Sequence, residues 1–159
     1  MSQLAAGSAA RAAVPGPREP DRMGRDWVGV LAEVPLFRSL SRRHLKHVAS
    51  VARARRYGAG SSIVRAGDPG SGFYVLIDGA VRVIPPTGRP RRLQAGDFFG
   101  EMALLDDSPR SASVVADGEV LTMTISRSAF SKLLKHEPSL AHELLRTLAA
   151  RLRTAEKSD

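Results

Sequence analysis

The sequence predicts an α+β fold: a small eight-stranded antiparallel β-roll, similar to a jelly roll, flanked by N-terminal helices and two C-terminal helices. Two observations predict it. Apolar residues recur at helical spacing before about residue 53 and after about residue 125. Between these limits, short β-branched and aromatic runs alternate with glycines. One run of helix formers interrupts the strands and predicts a short helix inserted in the roll.

Length and composition bound the class of protein. The 159 residues accommodate one domain with a sizeable core. The absence of cysteine excludes disulfides, thiolate metal sites and a cysteine nucleophile. No apolar run is long enough to span a membrane, and the alanine-rich N-terminus lacks the hydrophobic core of a secretory signal. We therefore expect a soluble, cytoplasmic protein.

The net charge of +8 is concentrated at the front of the chain. Residues 1–60 carry eleven Lys/Arg and four Asp/Glu, whereas residues 61–159 carry thirteen and twelve. The basic excess therefore belongs to the first part of the chain. A nucleic-acid role for the body of the domain is not indicated by charge.

The N-terminal third predicts a tail and two helices. Residues 1–25 are rich in proline and small residues and predict a disordered tail, so the domain is expected over 26–157. Asp26 is positioned to cap a first helix that Pro35 ends. Ser41 is positioned to open a second helix.

The central region predicts seven or eight short strands separated by glycines. Asp78-Gly79, between two β-rich runs, is the strongest hairpin signal in the chain. The predicted strands are Ile63-Val64, Phe73–Ile77, Val81–Ile84, Arg92–Gln94, Phe98-Phe99, Ser113–Val115 and Val120–Ile125.

After Ile125 the helical period returns. Ser126 or Ser128 is positioned to cap a helix that closes at Glu137-Pro138. A long final helix is predicted from Ser139 to about Glu156.

The segment from Gly100 to Arg110 contains the residues that indicate ligand binding. Gly100–Leu105 predicts one helical turn, whose N-terminus presents unpaired N–H groups to an anion. Arg110 can offer a bidentate cation to a phosphate. Glu101 would repel a phosphate and needs a neutral donor such as a sugar hydroxyl. Together these groups point to a nucleotide. The alternative is that Arg110 forms only a loop salt bridge to Asp106 or Asp107.

Two adjacent runs, Phe99–Leu105 and Pro109–Val114, resemble the phosphate-binding cassette of cyclic nucleotide-binding domains. The resemblance extends over roughly residues 27–157, and residues 67–79 resemble the early strands of that family. The family includes catabolite-activator proteins, protein kinase A regulatory subunits and cyclic-nucleotide-gated channels.

The resemblance implies a role for each cassette residue. Arg110 is expected to pair with the cyclic phosphate, and Glu101 with the ribose 2′-hydroxyl. Gly100 leaves room for the ligand, and backbone N–H groups complete the phosphate site. The residues expected to contact the ligand are Gly100, Glu101, Met102, Ala103, Arg110, Ser111 and Ala112.

In the family the last helix closes over the base, and Arg151 is the candidate lid residue. It is the one charged residue within the apolar arc of that helix, and a guanidinium can stack on a base. Thr147 and Leu148 lie beside it. In the alternative, the helix end overhangs the roll and Arg151 extends into water.

These expectations describe a stand-alone ligand sensor rather than an enzyme, with no cofactor and no metal. The ligand is expected to be cAMP more often than cGMP, and binding is expected to change the conformation and signal to an unidentified protein partner. The four histidines are expected on helices in solvent. The alternatives are a non-catalytic interaction protein and a nucleic-acid-associated regulator with the same fold.

Overall fold

The strands form one antiparallel sheet of six strands, with helices before, within and after it. The computed structural model describes residues 26–158, so the predicted tail lies outside the described residues. The helices are α1 Trp27–Ala32, α2 Arg42–Val51, α3 Glu101–Asp106, α4 Arg127–His136 and α5 Pro138–Ser158. The strands are β1 Arg53–Tyr57, β2 Ser62–Val64, β3 Gly72–Ile84, β4 Arg91–Gln94, β5 Phe98–Phe99 and β6 Ser113–Ser126.

The helix starts follow the capping residues in the sequence. The Asp26 carboxylate accepts the Gly29 N–H at 3.0 Å, and the Ser41 hydroxyl oxygen accepts the His44 N–H at 3.3 Å. For α4 the choice between two serines is resolved, because Ser126 accepts the Ala129 N–H at 3.2 Å. A 3-10 turn follows α1, with Pro35 at its first position, where a missing N–H costs no hydrogen bond.

The hairpin predicted at Asp78-Gly79 is wrong. β3 runs through this point as one strand, and its register against β6 shifts on both sides of Asp78. Gly79 has a φ of +88°, and a Cβ there would contact the Glu119 carbonyl oxygen. The glycine therefore permits a bulge where two backbones approach closely, rather than a turn.

The seven predicted runs become six strands, because two pairs of runs fuse and β1 Arg53–Tyr57 was not among the predicted runs. The runs on either side of Gly79 form β3, and those on either side of Gly118 form β6. These two long strands pair over their whole lengths, from Gly72 opposite Ser126 to Ile84 opposite Ser113. The sheet order is β1-β6-β3-β4, with β2 on β6 and β5 on β3, and the sheet remains open.

Two apolar clusters pack on this sheet. One joins the helices to the strands, and Phe73 of β3 stacks on Phe130 of α4 with ring centroids 4.5 Å apart. The other fills the roll between the strands and includes Leu76, Val81 and Val120. α4 is thus fixed against the sheet beside the inserted helix α3.

The last helix contacts the core through its first half. Leu140 and Leu144 of α5 are buried, whereas Leu145 and Leu152 are exposed. No helix in residues 26–158 is long and apolar enough to cross a membrane.

Candidate ligand-binding site

A small pocket, partly open to solvent, lies between α3, the roll and α5. Apolar residues of four strands form one wall: Val64, Val83, Phe99 and Val114. The lining also brings together all eight residues expected from the sequence to contact a ligand: Gly100, Glu101, Met102, Ala103, Arg110, Ser111, Ala112 and Arg151.

Gly100 occupies a position that disfavours a side chain. It precedes α3 with a φ of +93°, in the left-handed region. A Cβ there would lie 3.0 Å from Arg110 Nη1 and 3.0 Å from the Gly72 carbonyl oxygen. Glycine is therefore strongly favoured where the chain turns from β5 into α3 beside Arg110.

Arg110 is buried and held by two backbone carbonyls. Nη1 donates to the Gly100 oxygen and Nη2 to the Gly72 oxygen, both at 2.8 Å. Burial lowers the Arg110 pKa, and the neighbouring Tyr74 and Glu101 oppose that shift. A guanidinium has five N–H donors. No hydrogen bond from the other three is found within the described residues.

The loop salt bridge considered as an alternative for Arg110 is not what the structure shows. The Asp107 carboxylate pairs with Arg127, with Nη1 and Oδ1 2.6 Å apart. Asp106 accepts the Ser108 N–H instead. Arg110 is thus positioned by the carbonyl oxygens of Gly100 and Gly72.

Glu101, the first residue of α3, is also buried, with 4% of its surface exposed. Its Oε1 lies 3.7 Å from Nη1 of Arg151. Arg151 also donates from Nη2 to the Phe98 carbonyl oxygen at 2.7 Å, and its guanidinium carbon lies 4.2 Å from the centroid of the Phe98 ring. Burial lowers the Arg151 pKa, an effect that Glu101 opposes.

The overhang considered for Arg151 therefore does not describe this structure. Only 19% of its side chain is exposed, and it reaches the pocket. Thr147 and Leu148, expected beside it, are not among the pocket-lining residues.

A comparison with protein-family models matches residues 54–137 to the cyclic nucleotide-binding domain. This match spans more than half of the chain and includes the whole segment from Gly100 to Arg110. The chain belongs to the cyclic nucleotide-binding domain family.

Individual relatives agree with the family match. A protein of Colletotrichum orbiculare named as a cAMP-dependent protein kinase regulatory subunit is 39% identical over 115 residues, which are 71% of this chain and 29% of that protein. This chain thus spans less than a third of the length of that relative.

Solved structures share the fold. The catabolite activator protein of Thermus thermophilus is 35% identical with a TM-score of 0.69, over 78% of this chain and 61% of that one. The regulatory domain of Toxoplasma gondii PKA, solved with cAMP, is 28% identical with a TM-score of 0.69, over 79% of this chain and 49% of that one.

Arg127, at the start of α4, is a structural residue of the domain that sequence reasoning missed. Its Nε and Nη2 donate to the Gly70 oxygen at 3.2 and 3.1 Å, and Nη2 also donates to the Ala103 oxygen at 3.1 Å. With the Asp107 pair, these bonds join α3, α4 and the loop before β3. Gly70 permits this approach, because a Cβ there would lie 2.5 Å from the Ala103 Cβ.

Arg91 of β4 is exposed and also lines the pocket, and it was not among the residues expected there from the sequence. The valines of the pocket wall were also missed. Val83 and Val64 both pair with Val114 of β6, a register that local sequence does not reveal.

His44 lies on a helix with 44% of its side chain exposed, as expected, but its Nδ1 also lies 3.1 Å from Oε1 of Glu137 and 3.1 Å from Oγ of Ser41. Glu137 is buried at the junction of α4 and α5. Within residues 26–158 no group of three His, Asp or Glu could hold a metal ion.

Proposed function

We propose that this domain binds a 3′,5′-cyclic nucleotide, with cAMP preferred over cGMP, as a sensor rather than a catalyst. The observation that carries the proposal is the pairing of a buried arginine and a buried glutamate in one pocket. Arg110 and Glu101 both line it, and each is less than 10% exposed. A ligand that satisfies both must carry an anion and a neutral hydrogen-bond donor.

Arg110 suits the cyclic phosphate. Its two bonds to carbonyl oxygens fix the plane of the guanidinium before a ligand arrives, so little side-chain entropy is lost on binding. Burial strengthens its interaction with an anion, because the local dielectric is low. The N–H groups of Ala103 and of Ser111 or Ala112 complete the proposed phosphate site.

Glu101 suits a ribose hydroxyl. An ionised carboxylate only accepts hydrogen bonds, so it repels a phosphate and attracts an O–H group. The apolar wall of Val64, Val83 and Val114 is then available to the base. The ligand is thus held by one charge pair, one hydroxyl contact and apolar contact.

The preference for cAMP rests on the relatives. One is named as a cAMP-dependent regulatory subunit, and another was solved with cAMP. Ser111, which follows the cassette arginine, is compatible with either nucleotide. The downstream partner is a protein that reads a ligand-dependent change in α3, α4 or α5.

Calorimetric titration with cAMP, cGMP and 5′-AMP tests the proposal. We expect cAMP to bind at micromolar concentration or tighter, with cGMP weaker. 5′-AMP, which carries an acyclic phosphate, is expected to bind at least about ten-fold more weakly than cAMP. Equal binding of 5′-AMP and cAMP, or no binding of either cyclic nucleotide, would contradict the proposal and favour an interaction role without a nucleotide.

A further inference from the structure

The solvent-facing side of α2 is basic along its length. The helix Arg42–Val51 contains no aspartate or glutamate, and Arg42, Arg43 and Lys46 are all exposed. Because an α-helix has 3.6 residues per turn, Lys46 lies one turn from both arginines. These three residues, with exposed His47 beside them, therefore form one cationic surface, which we call the basic face of α2.

No carboxylate neutralises this face within the part of the chain that the structure describes. The ion pairs found in residues 26–158 do not include Arg42, Arg43 or Lys46. Glu137 reaches α2, but it is buried and its carboxylate pairs with His44. The positive charge of the basic face therefore remains available to an anionic partner.

Two of the cations lie at the end of the helix where positive charge is least favourable. Arg42 and Arg43 are the first two residues of α2 after the Ser41 cap, and the first turn contains no acidic residue. The N-terminus of a helix already carries partial positive charge, and neighbouring like charges repel each other. This arrangement opposes the stability of the free domain, a conflict that is typical of a functional surface.

The surroundings of the basic face favour nucleic acid among the anionic partners. A helix that lies on a membrane inserts its apolar side into the lipid, whereas Leu45 and Val48 of α2 are buried in the core. A protein interface buries apolar side chains at its centre, and none of the exposed large apolar residues within residues 26–158 lies on α1 or α2. A phosphate backbone can be bound through charge alone, and the planar guanidinium of arginine matches its geometry.

We propose that the basic face of α2 binds the phosphate backbone of double-stranded DNA without reading its sequence. Arg42, Arg43 and Lys46 each contact one phosphate. The pocket lining contains no residue of α2, so this surface is separate from the proposed nucleotide site. The inference therefore does not depend on nucleotide binding.

Fluorescence anisotropy with the full chain and a labelled duplex of about 30 base pairs tests the proposal. We expect equal affinity for two unrelated sequences. The affinity should fall about 40-fold or more between 50 and 200 mM salt, because three phosphate contacts release counterions. The variant Arg42→Gln/Arg43→Gln/Lys46→Gln should bind at least about ten-fold more weakly at 50 mM salt, and each substitution should reduce the salt slope by about one.

The matched control is the variant Lys132→Gln/Arg146→Gln/Arg153→Gln, which removes three exposed cations from α4 and α5. It lowers the net charge by the same amount and should retain DNA affinity within about three-fold. The basic-face variant should keep the Tm of the wild-type chain or exceed it, because Arg42 and Arg43 oppose the helix dipole. A loss of DNA binding in that variant is then separated from a loss of folding.

Three results would overturn the inference. Equal weakening by the two triple variants would show that net charge alone accounts for binding. Unchanged affinity in the basic-face variant would place the DNA contact elsewhere in the chain. Binding of the wild-type chain to phosphatidylserine vesicles but not to DNA, or to neither, would exclude DNA as the partner of this face.

Discussion

At residue scale, Gly100 and Arg110 form one unit. The Gly100 carbonyl oxygen accepts from Nη1 of Arg110, and the space that a Cβ would occupy is bounded by the same nitrogen and by the Gly72 oxygen. The position of Arg110, the residue proposed to bind the phosphate, therefore depends on an uncharged glycine.

Replacing Gly100 by alanine tests this dependence. An L-residue in the left-handed region costs about 1–2 kcal/mol of unfolding free energy, a loss of a few degrees in Tm. The new Cβ must also displace Arg110, so we expect cAMP binding at least about ten-fold weaker by calorimetry.

Gly118→Ala is the matched control for that substitution. Gly118 has a φ of +90°, and nothing lies within 4 Å of its Cβ position. The Gly118→Ala substitution should lower Tm to a similar extent and leave the affinity for cAMP unchanged. Equal affinities in the two variants would contradict the proposed coupling of Gly100 to Arg110.

At the scale of elements, Arg127 connects α3 to α4. Its side chain binds the Ala103 and Gly70 oxygens and the Asp107 carboxylate. A movement of α3 on ligand binding would therefore be transmitted to the start of α4, which is also stacked on the sheet through Phe130.

Arg127→Ala should uncouple these helices. We expect cAMP to slow amide hydrogen exchange in α4 of the wild-type protein and to leave α4 exchange unchanged in the variant. The lost hydrogen bonds should also lower the unfolding free energy by about 1–2 kcal/mol. Lys132→Ala, an exposed change on the same helix, should retain the ligand response. The same response in Arg127→Ala would exclude this route.

Local signals predicted the helices better than the strands. Asp26, Ser41 and Ser126 cap helices because an N-cap bond spans only three residues. Asp78-Gly79 was misread because a bulge and a turn require the same glycine. Whether the chain reverses there is decided by pairing with β6, about forty residues away.

The residues of the site also divide into those that local sequence predicts and those that it does not. The cassette from Gly100 to Ala112 is contiguous, so its residues could be named from sequence. Val64 and Val83 belong to earlier strands and reach the pocket through their pairing with Val114 of β6. Only the fold brings these two valines to the cassette, and no local pattern marks them.

At the scale of the whole molecule, a tyrosine in the roll makes stability depend on alkaline pH. Tyr57 is 5% exposed, and burial, with a smaller contribution from Tyr74, raises its pKa. The folded state therefore holds the phenol proton more tightly than the unfolded state. The stability that this pKa difference contributes is fully present below about pH 10, the pKa of tyrosine in the unfolded chain. This stability is lost as the pH rises through the higher pKa of Tyr57 in the folded state.

Urea unfolding at pH 8, 9, 10 and 11 checks this prediction. We expect the unfolding free energy of the wild-type domain to fall more steeply above pH 10 than that of Tyr57→Phe, which keeps the ring and lacks the titrating group. Parallel pH profiles would show that Tyr57 does not contribute.

We propose that the pocket binds a cyclic nucleotide through Arg110. Calorimetric titration of cAMP into the wild-type domain, Arg110→Ala and Arg89→Ala tests it most directly, since Arg89 is exposed and outside the pocket lining. Removing one partner of a buried charge pair costs about 2–5 kcal/mol, or roughly 30- to several-thousand-fold in affinity. We predict that loss for Arg110→Ala in a folded protein, and none for Arg89→Ala. Near-wild-type affinity in Arg110→Ala would show that Arg110 does not bind the phosphate.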